Sequence, residues 1–306
     1  QTSQWIMAAR VLRRSGFGAR GTDIDSAVDI GEPAQIVNEM LHTDFNRDPG
    51  VIATPMPDLE LPERPPRSSE PDSDAKKSYR RTLRSQRDAL TEWWLRRMTS
   101  ARQPVLEKLT FLWHNHFATS AEKVQIAALL AQQNRKLRDL CLGDFRQLAL
   151  AMLTDAATVT WFDGDHNTSD SPNENLAREL LELHTLGVSG SYGQRDVTEL
   201  AELLTGLSVS REGTFDFRRD VVEPGAETVL GQDYGGMRRG QLDAVRAAIA
   251  DLAAHPETTR HLARKLAVHF VADDPPEALV AALEAAWRDS GGDLAAVTGA
   301  LLAHPA

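Results

Sequence analysis

Residues 173–187, with the sequence NENLARELLELHTLG, carry the clearest secondary-structure signal in the chain. Five leucines fill this stretch, Asn173 precedes them and Gly187 follows them. Asparagine is a preferred helix N-cap and glycine a preferred helix C-cap, so the pattern predicts one helix that ends at Leu186. A helix so rich in leucine is expected to be largely buried in the core of the protein.

Helical spacing of apolar residues continues on both sides of this stretch, with prolines and glycines at the expected helix boundaries. Residues 214–236 differ, because Phe215 and Phe217 alternate with polar neighbours and Thr228 and Val229 have β-branched side chains. The sequence therefore predicts an all-α fold class. We expect a single large multi-helix globular domain over residues 1–306, with one small β-hairpin insertion at residues 214–236.

Residues 55–74 change in composition to prolines, serines and charged residues, including Pro62, Pro65 and Pro66. Too little chain precedes this stretch to form an independent core. We therefore expect a mobile loop within the domain rather than a linker between two domains.

Charge and composition exclude several classes of protein. The net charge is −10, from 34 Lys and Arg against 44 Asp and Glu, and this sign opposes binding to nucleic acid. No apolar run approaches the length of a membrane span, so we expect no membrane span.

The single cysteine, Cys141, excludes an internal disulfide and is expected to be a buried thiol. No signal segment follows Gln1, so an exported precursor would have been trimmed before this residue. There is no glycine-rich nucleotide loop, and the sequence identifies no cofactor.

The segment WHNHF at residues 113–117 places two histidines between two bulky aromatic residues. Neutral imidazole binds metals and carries protons at neutral pH, so the pair suits a general acid/base site or a divalent metal. Histidines that cap a helix C-terminus are the alternative explanation. Residues two apart point in nearly opposite directions on a helix, so both can share a site only where the helix ends. The candidate residues of this segment are Trp113, His114, Asn115 and His116.

Polar side chains recur at spacings of three or four residues along the helix predicted at residues 173–186. Capping and the helix dipole account for the first of them. The others either form solvated ion pairs or include a carboxylate that serves as base, nucleophile or metal ligand. The candidate residues of this segment are Asn173, Glu174, Asn175, Arg178, Glu179, Glu182 and His184.

The two segments are predicted to meet, although they are distant in sequence. Carboxylates on a buried helix need partners, and Arg178 can neutralise only one of them. The HNH triplet is the richest compact source of further donors. We therefore expect one pocket in which a histidine next to a carboxylate has a pKa above its usual value of about 6.5. The residues expected to line this pocket are His114, His116, Asn175, Arg178 and Glu179.

Three segments, LTFLWHNHFAT at residues 109–119, PNENLARELLELHTLG at 172–187 and DVTEL at 196–200, resemble the bacterial domain-of-unknown-function 1800 family. Shorter matches at residues 12–18, 204–206 and 263–270 extend the resemblance over nearly the whole chain. Two departures stand out. Members usually carry tryptophan where this chain has Leu207, and they generally continue in a C-terminal part beyond the position of Ala306.

The resemblance implies a helical bacterial protein, commonly made as an exported precursor and encoded beside a sulfatase-like partner protein. It thus implies a periplasmic or extracellular location. On this basis we expect a hydrolase that acts on a glycan or another cell-envelope substrate. Glu174 or Glu179 would be its acid/base, with His114 and His116 as partners. Glycoside cleavage needs two carboxyls at a defined separation, which the motif does not specify.

Two other functions are open at this point. In a metal-dependent enzyme, His114, His116 and either Glu179 or Glu182 would be the ligands, although the motif lacks the spacing of four residues typical of a zinc-binding helix. In a non-catalytic binding or assembly partner, the same motifs would only stabilise the fold.

Overall fold

The computed structural model of the protein describes residues 2–66, 70, 73–236 and 241–306. Within these residues the chain forms sixteen α-helices. The first eight are α1 (Thr2–Ser15), α2 (Gly21–Ile30), α3 (Pro33–Leu41), α4 (Pro49–Ile52), α5 (Asp74–Ser100), α6 (Val105–Phe117), α7 (Ala121–Val124) and α8 (Ala127–Leu140). The others are α9 (Phe145–Leu153), α10 (Ala156–Trp161), α11 (Glu174–Glu179), α12 (Gln194–Leu203), α13 (Gln241–Ala254), α14 (Pro256–Phe270), α15 (Glu277–Ser290) and α16 (Leu294–Ala303).

The described residues form two small antiparallel hairpins and are otherwise mainly helical, so the prediction of an all-α fold with a β insertion is confirmed. The strands are β1 (Leu207–Val209), β2 (Phe215–Phe217), β3 (Ala226–Val229) and β4 (Gln232–Gly235). The predicted single hairpin at residues 214–236 is in fact two, and the first begins earlier, at Leu207. Gly206 makes that early start possible, because its φ of 90° turns the chain from α12 into β1.

One continuous apolar core includes buried residues from Ala8 in α1 to Leu302 in α16. Aromatic rings at its centre join helices that are distant in sequence. Phe145 of α9 lies with its ring centroid 5.6 Å from that of Trp113 in α6 and 5.3 Å from that of Trp287 in α15. Cys141 is fully buried beside this centre, as predicted, and burial raises the pKa of its thiol, which makes it unreactive.

The predicted loop at residues 55–74 has no helix or strand over residues 55–66, and α5 begins at its last residue. Residues 67–69 and 71–72 of this stretch lie outside the described residues. The first part of the loop contacts two helices. The Met56 sulfur lies 3.1 Å from Arg135 Nε of α8, and Gln86 Nε2 of α5 donates to the Glu60 carbonyl at 2.9 Å. Its backbone thus follows the surface of α5 and α8.

Two helical regions are interrupted in the structure. Gln125, whose φ is 57°, separates α7 from α8. The helix expected at residues 173–186 is α-helical only to Glu179 and continues as a π turn over Leu180–His184. Within the described residues, no helix is both long enough and apolar enough to cross a bilayer.

A buried ion pair joins α6 to α8. Glu107 is 1% exposed, and both of its carboxylate oxygens accept hydrogen bonds from the Arg138 guanidinium, one of them at 2.7 Å. Arg97 of α5 lies 3.9 Å from the same carboxylate and also hydrogen-bonds the Thr54 hydroxyl at 2.7 Å. Three helices therefore depend on one buried negative charge.

Removal of that charge is expected to destabilise the protein strongly. Glu107→Gln leaves the half-paired Arg138 guanidinium in the interior, and breaking a buried pair in this way costs about 3 kcal/mol or more. The control is Glu92→Gln, which removes an exposed ion pair with Arg96 and should cost less than about 1 kcal/mol. Urea unfolding of both variants measures the difference. Equal losses of unfolding free energy in the two variants would contradict the structural importance of Glu107.

Candidate functional site

The segment that carries most of the predicted site residues changes from an α-helix to a π turn at Leu180–His184. The Thr185 hydroxyl donates to the carbonyl of Leu180 at 2.7 Å, and the Gly187 amide donates to Leu181 O at 3.2 Å. Gly187 has a φ of 92°, and a Cβ at this position would lie 2.9 Å from His261 Nδ1. Glycine is therefore needed both to end the turn and to let α14 approach. Single π turns of this kind are frequent at functional sites.

The π turn places His184 in the interior, where it is 4% exposed. Its ring centroid lies 5.6 Å from that of His116 and 5.2 Å from that of Phe117. Its Nε2 atom is buried and has no hydrogen-bond partner among the described residues. Burial, followed by the positive charge of Lys265, lowers the pKa of His184 to about 3. The imidazole is therefore neutral at physiological pH.

His116 connects three segments of the fold. It lies at the end of α6 and is 1% exposed. Its Nε2 lies 3.2 Å from the backbone oxygen of His184, and its Nδ1 lies 2.9 Å from Lys265 Nζ of α14. The ammonium can only donate, so Nδ1 is the acceptor and Nε2 carries the proton given to the His184 carbonyl. Burial is the main cause that lowers the pKa of His116, and the neighbouring Lys265 adds to it.

Lys265 and His261 lie one helical turn apart on α14 and complete what we call the histidine–lysine cluster: His116, His184, His261 and Lys265. Among the residues that the structure describes, Lys265 has no carboxylate within ion-pair distance, and burial lowers the pKa of its ammonium. Burial also lowers the pKa of His261, whose ring contacts the backbone of Leu183. The cluster is thus a positive, partly desolvated centre made of one amine and three imidazoles with lowered pKa values.

A second group of predicted residues lies at the surface, on the α-helical part before the π turn. Arg178 Nη2 is 3.7 Å from Glu174 and Arg178 Nη1 is 3.6 Å from Glu182, and we call these three residues the Glu–Arg ridge. Two residues of α12 hold the first carboxylate: Gln194 donates to it at 2.8 Å and Thr198 at 2.9 Å. These hydrogen bonds, followed by the charge of Arg178, lower the pKa of Glu174.

Glu179 lies beside this ridge in a different environment. It is partly buried, and among the described residues it has no hydrogen-bond or ion-pair partner. Burial, followed by the nearby negative charge of Glu182, raises the pKa of Glu179. Glu182, by contrast, accepts a hydrogen bond from the Tyr192 hydroxyl in addition to its ion pair with Arg178. Two neighbouring carboxyls are therefore in different environments: burial favours the neutral form of Glu179, whereas Glu182 is paired with a guanidinium.

The other predicted residues have structural or surface positions. Trp113 is 2% exposed and lies in the core, and Asn115 and Asn175 are exposed. Asn173 is the N-cap of α11, as the sequence predicted, and accepts from the amide of Asn175 at 3.1 Å. Its amide group also donates to the Phe162 carbonyl at 2.6 Å, so both ends of the side chain are bonded within the protein.

The two histidines of the WHNHF segment do not meet at one point. His114 packs edge-on against Trp94 of α5, with ring centroids 4.9 Å apart, whereas His116 packs against the π turn. The helix continues past both of them to Phe117, so the two rings point away from each other. Burial lowers the pKa of His114 to about 4.

The expected contact of these histidines with Glu179 is absent from the described residues, and the expected rise in a histidine pKa is wrong. The charged partner of His116 is a lysine rather than a carboxylate, and burial acts in the same direction as that lysine. Lys265 and His261 were not predicted as members of the site. Their spacing of four residues on one helix was the available signal, although it is equally typical of packing or of a surface face.

The sequence profile of the family described as "Protein of unknown function (DUF1800)" matches residues 10–306, nearly the whole chain. The chain belongs to this family. The resemblance seen in the sequence is thereby confirmed. In this DUF1800 member, His116 of the WHNHF segment contacts the π turn, and the PNEN segment opens the helix that leads into it. No curated protein and no solved structure matches the chain.

The neutral, buried histidines predict how stability depends on pH. Below about pH 6.5 the unfolded chain protonates its histidines, whereas folded His114 and His184 stay neutral down to about pH 4 and about pH 3. The contribution of these two histidines to the free energy of unfolding is therefore complete above about pH 6.5 and is lost as pH falls. Each such histidine lowers the free energy of unfolding by up to about 1.4 kcal/mol per pH unit, which urea unfolding between about pH 7 and about pH 5 measures.

The variant that tests this is His114→Phe, which keeps an aromatic ring against Trp94 and removes the titrating group. Its pH dependence should be weaker than that of the wild type by about one proton. His42→Gln, which removes an exposed imidazole, is the matched control. An identical slope for wild type and His114→Phe would contradict the presence of a neutral buried imidazole at this position.

Proposed function

We propose that this protein is a bacterial extracytoplasmic hydrolase that acts on a glycan of the cell envelope, with Glu179 as its proton-transferring residue. The observation that carries the proposal is the pairing of Glu179 with Glu182. Among the described residues Glu179 has no hydrogen-bond or ion-pair partner, and its pKa is raised, whereas Glu182 is held by Arg178 and Tyr192. A partly buried carboxyl with a raised pKa beside a second carboxyl is an arrangement that general acid/base hydrolysis uses.

The roles follow from these environments. A carboxyl with a raised pKa retains its proton closer to neutral pH, so Glu179 donates a proton to the oxygen of the leaving group. Glu182 lies 3.6 Å from Arg178, and in this proposal it supplies the second carboxylate that glycoside cleavage requires. Water then adds to the sugar carbon from which the leaving group departs, and the proton that this water loses passes to the Glu182 carboxylate. Glu174, with its lowered pKa, keeps Arg178 in place between the two ends of the ridge.

The histidine–lysine cluster has a positioning role in this proposal. Its members hold the π turn that follows Glu179, and they do so from the interior, where His116 and His184 are 1% and 4% exposed. Both nitrogens of His116 are within hydrogen-bonding distance of protein groups. A metal bound by His114, His116 and a glutamate would have to break these bonds. The geometry therefore favours the acid/base hydrolase over the metal-dependent enzyme.

The extracytoplasmic location, the glycan substrate and a sulfatase-like partner protein rest on the family resemblance. The exposed Glu–Arg ridge supports a polar substrate such as a glycan, because its side chains are 27–44% exposed and able to exchange hydrogen bonds with sugar hydroxyls. Tyr192 adds a partly exposed aromatic ring at the same place.

The test is to incubate the protein with purified peptidoglycan and with bacterial exopolysaccharides and to measure hydrolysis by the release of reducing ends. Wild type should release them, and Glu179→Gln, which keeps the shape of the side chain but cannot transfer its proton, should lower kcat by about 100-fold or more. The rate of the wild type should fall as pH rises through the raised pKa of Glu179, because the protonated form is the active one.

Glu39→Gln on the exposed face of α3 is the matched control and should keep full activity. Circular dichroism of each variant separates loss of activity from loss of fold. Full activity in folded Glu179→Gln would refute the role of this residue. If the folded wild type hydrolyses none of these polysaccharides, the hydrolase proposal is refuted and the binding or assembly function is favoured.

A further inference from the structure

Three glutamates converge at the contact between α12 and the β3–β4 hairpin, away from the Glu–Arg ridge. Glu199 and Glu202 lie three residues apart on α12, and Glu227 lies on β3. Each offers one carboxylate oxygen, and these three oxygens lie within 4.8 Å of one another. Carboxylates repel one another at such distances unless protons or cations lie between them.

Burial makes this cluster different from an ordinary acidic surface. Glu227 is 4% exposed, and its Oε1 atom is buried without a hydrogen-bond partner among the described residues. A buried carboxylate oxygen without a partner costs free energy that folding does not recover. Gly225 preserves the space in front of this atom, because a Cβ there would lie 2.9 Å from Glu227 Oε1.

The protein itself supplies little compensation. Arg195 approaches only Glu199, at 3.1 Å, and its side chain is 80% exposed. The second oxygen of Glu199 accepts from the Thr228 amide at 2.8 Å. Within the described residues, no Lys, Arg or His lies within ion-pair distance of Glu202 or Glu227.

We propose that Glu199, Glu202 and Glu227 bind one divalent cation, and that the cation is Ca²⁺. All three donors are oxygens, which hard cations prefer. Ca²⁺ accepts oxygens at about 2.3–2.6 Å, so its ligands can be as much as about 5 Å apart, whereas the ligands of Mg²⁺, at about 2.1 Å, are at most about 4.2 Å apart. The three donor oxygens, which lie within 4.8 Å of one another, fit the span that Ca²⁺ allows.

The cation joins the hairpin to α12. The backbone amides of Thr228 and Leu230 already donate to Glu199 and Asp196 of this helix, at 2.8 and 2.7 Å. A cation held by side chains of both elements strengthens the same contact. The site goes beyond the proposed hydrolase, since it uses none of the residues given a role there.

The test is isothermal titration of the folded 306-residue chain with CaCl₂ after treatment with EDTA. Wild type should bind Ca²⁺ with a stoichiometry near one and bind Mg²⁺ more weakly. Glu227→Gln keeps the shape of the side chain and removes its charge, and it should weaken Ca²⁺ binding by about tenfold or more. Glu39→Gln, which makes the same change in net charge on α3, should bind as wild type does.

Amide hydrogen exchange gives a second readout that needs no variant. Ca²⁺ should slow exchange in residues 226–235, which form the hairpin, and leave α3 unaffected. No heat of Ca²⁺ binding by folded wild type overturns the proposal. Equal losses of affinity in Glu227→Gln and Glu39→Gln overturn it too, since they would show a general effect of charge. Binding of Mg²⁺ as tight as that of Ca²⁺ overturns the assignment of the cation.

Discussion

The contact of His116 with Lys265 and with the His184 carbonyl is the constraint on which the site depends. A neutral imidazole has one donor and one acceptor, and both are used here, at 3.2 and 2.9 Å. Those two bonds join α6, the π turn and α14 in the interior. Because a lysine takes the acceptor, the imidazole must stay uncharged, and the whole cluster is held by burial rather than by ion pairs.

The contact of His116 with the His184 carbonyl holds the π turn in place. The π turn in turn sets the positions of the two surface carboxyls near its start. Glu179 and Glu182 lie on either side of its start, so the same short segment has a buried imidazole at its end and two differently placed carboxyls at its beginning. α12 then links the two proposed sites. Gln194 and Thr198 hold Glu174 of the ridge, while Glu199 and Glu202 face the hairpin.

Several features could be predicted from the sequence, because their signals are local. Asn173 caps α11 as its position before the leucines indicated. The all-α class and the family were also predicted from the sequence. In the candidate site, the ion pairs of Arg178 with Glu174 and Glu182 join residues four apart on one helix, a spacing that can be read from the sequence.

The sequence alone determined most of the helices, their caps and the ion pairs of Arg178, since each depends on residues within one or two turns of one another. Only the tertiary structure decided that His116 meets Lys265, 149 residues away, and not a carboxylate of the neighbouring motif. It also decided that the leucine-rich helix ends in a π turn, which a buried hydrogen bond from Thr185 and the approach of His261 impose. The three glutamates likewise converge only when the hairpin packs on α12. The physical reason is common to all three cases: which buried polar groups become partners depends on how the complete set of helices packs, and no local pattern records that choice.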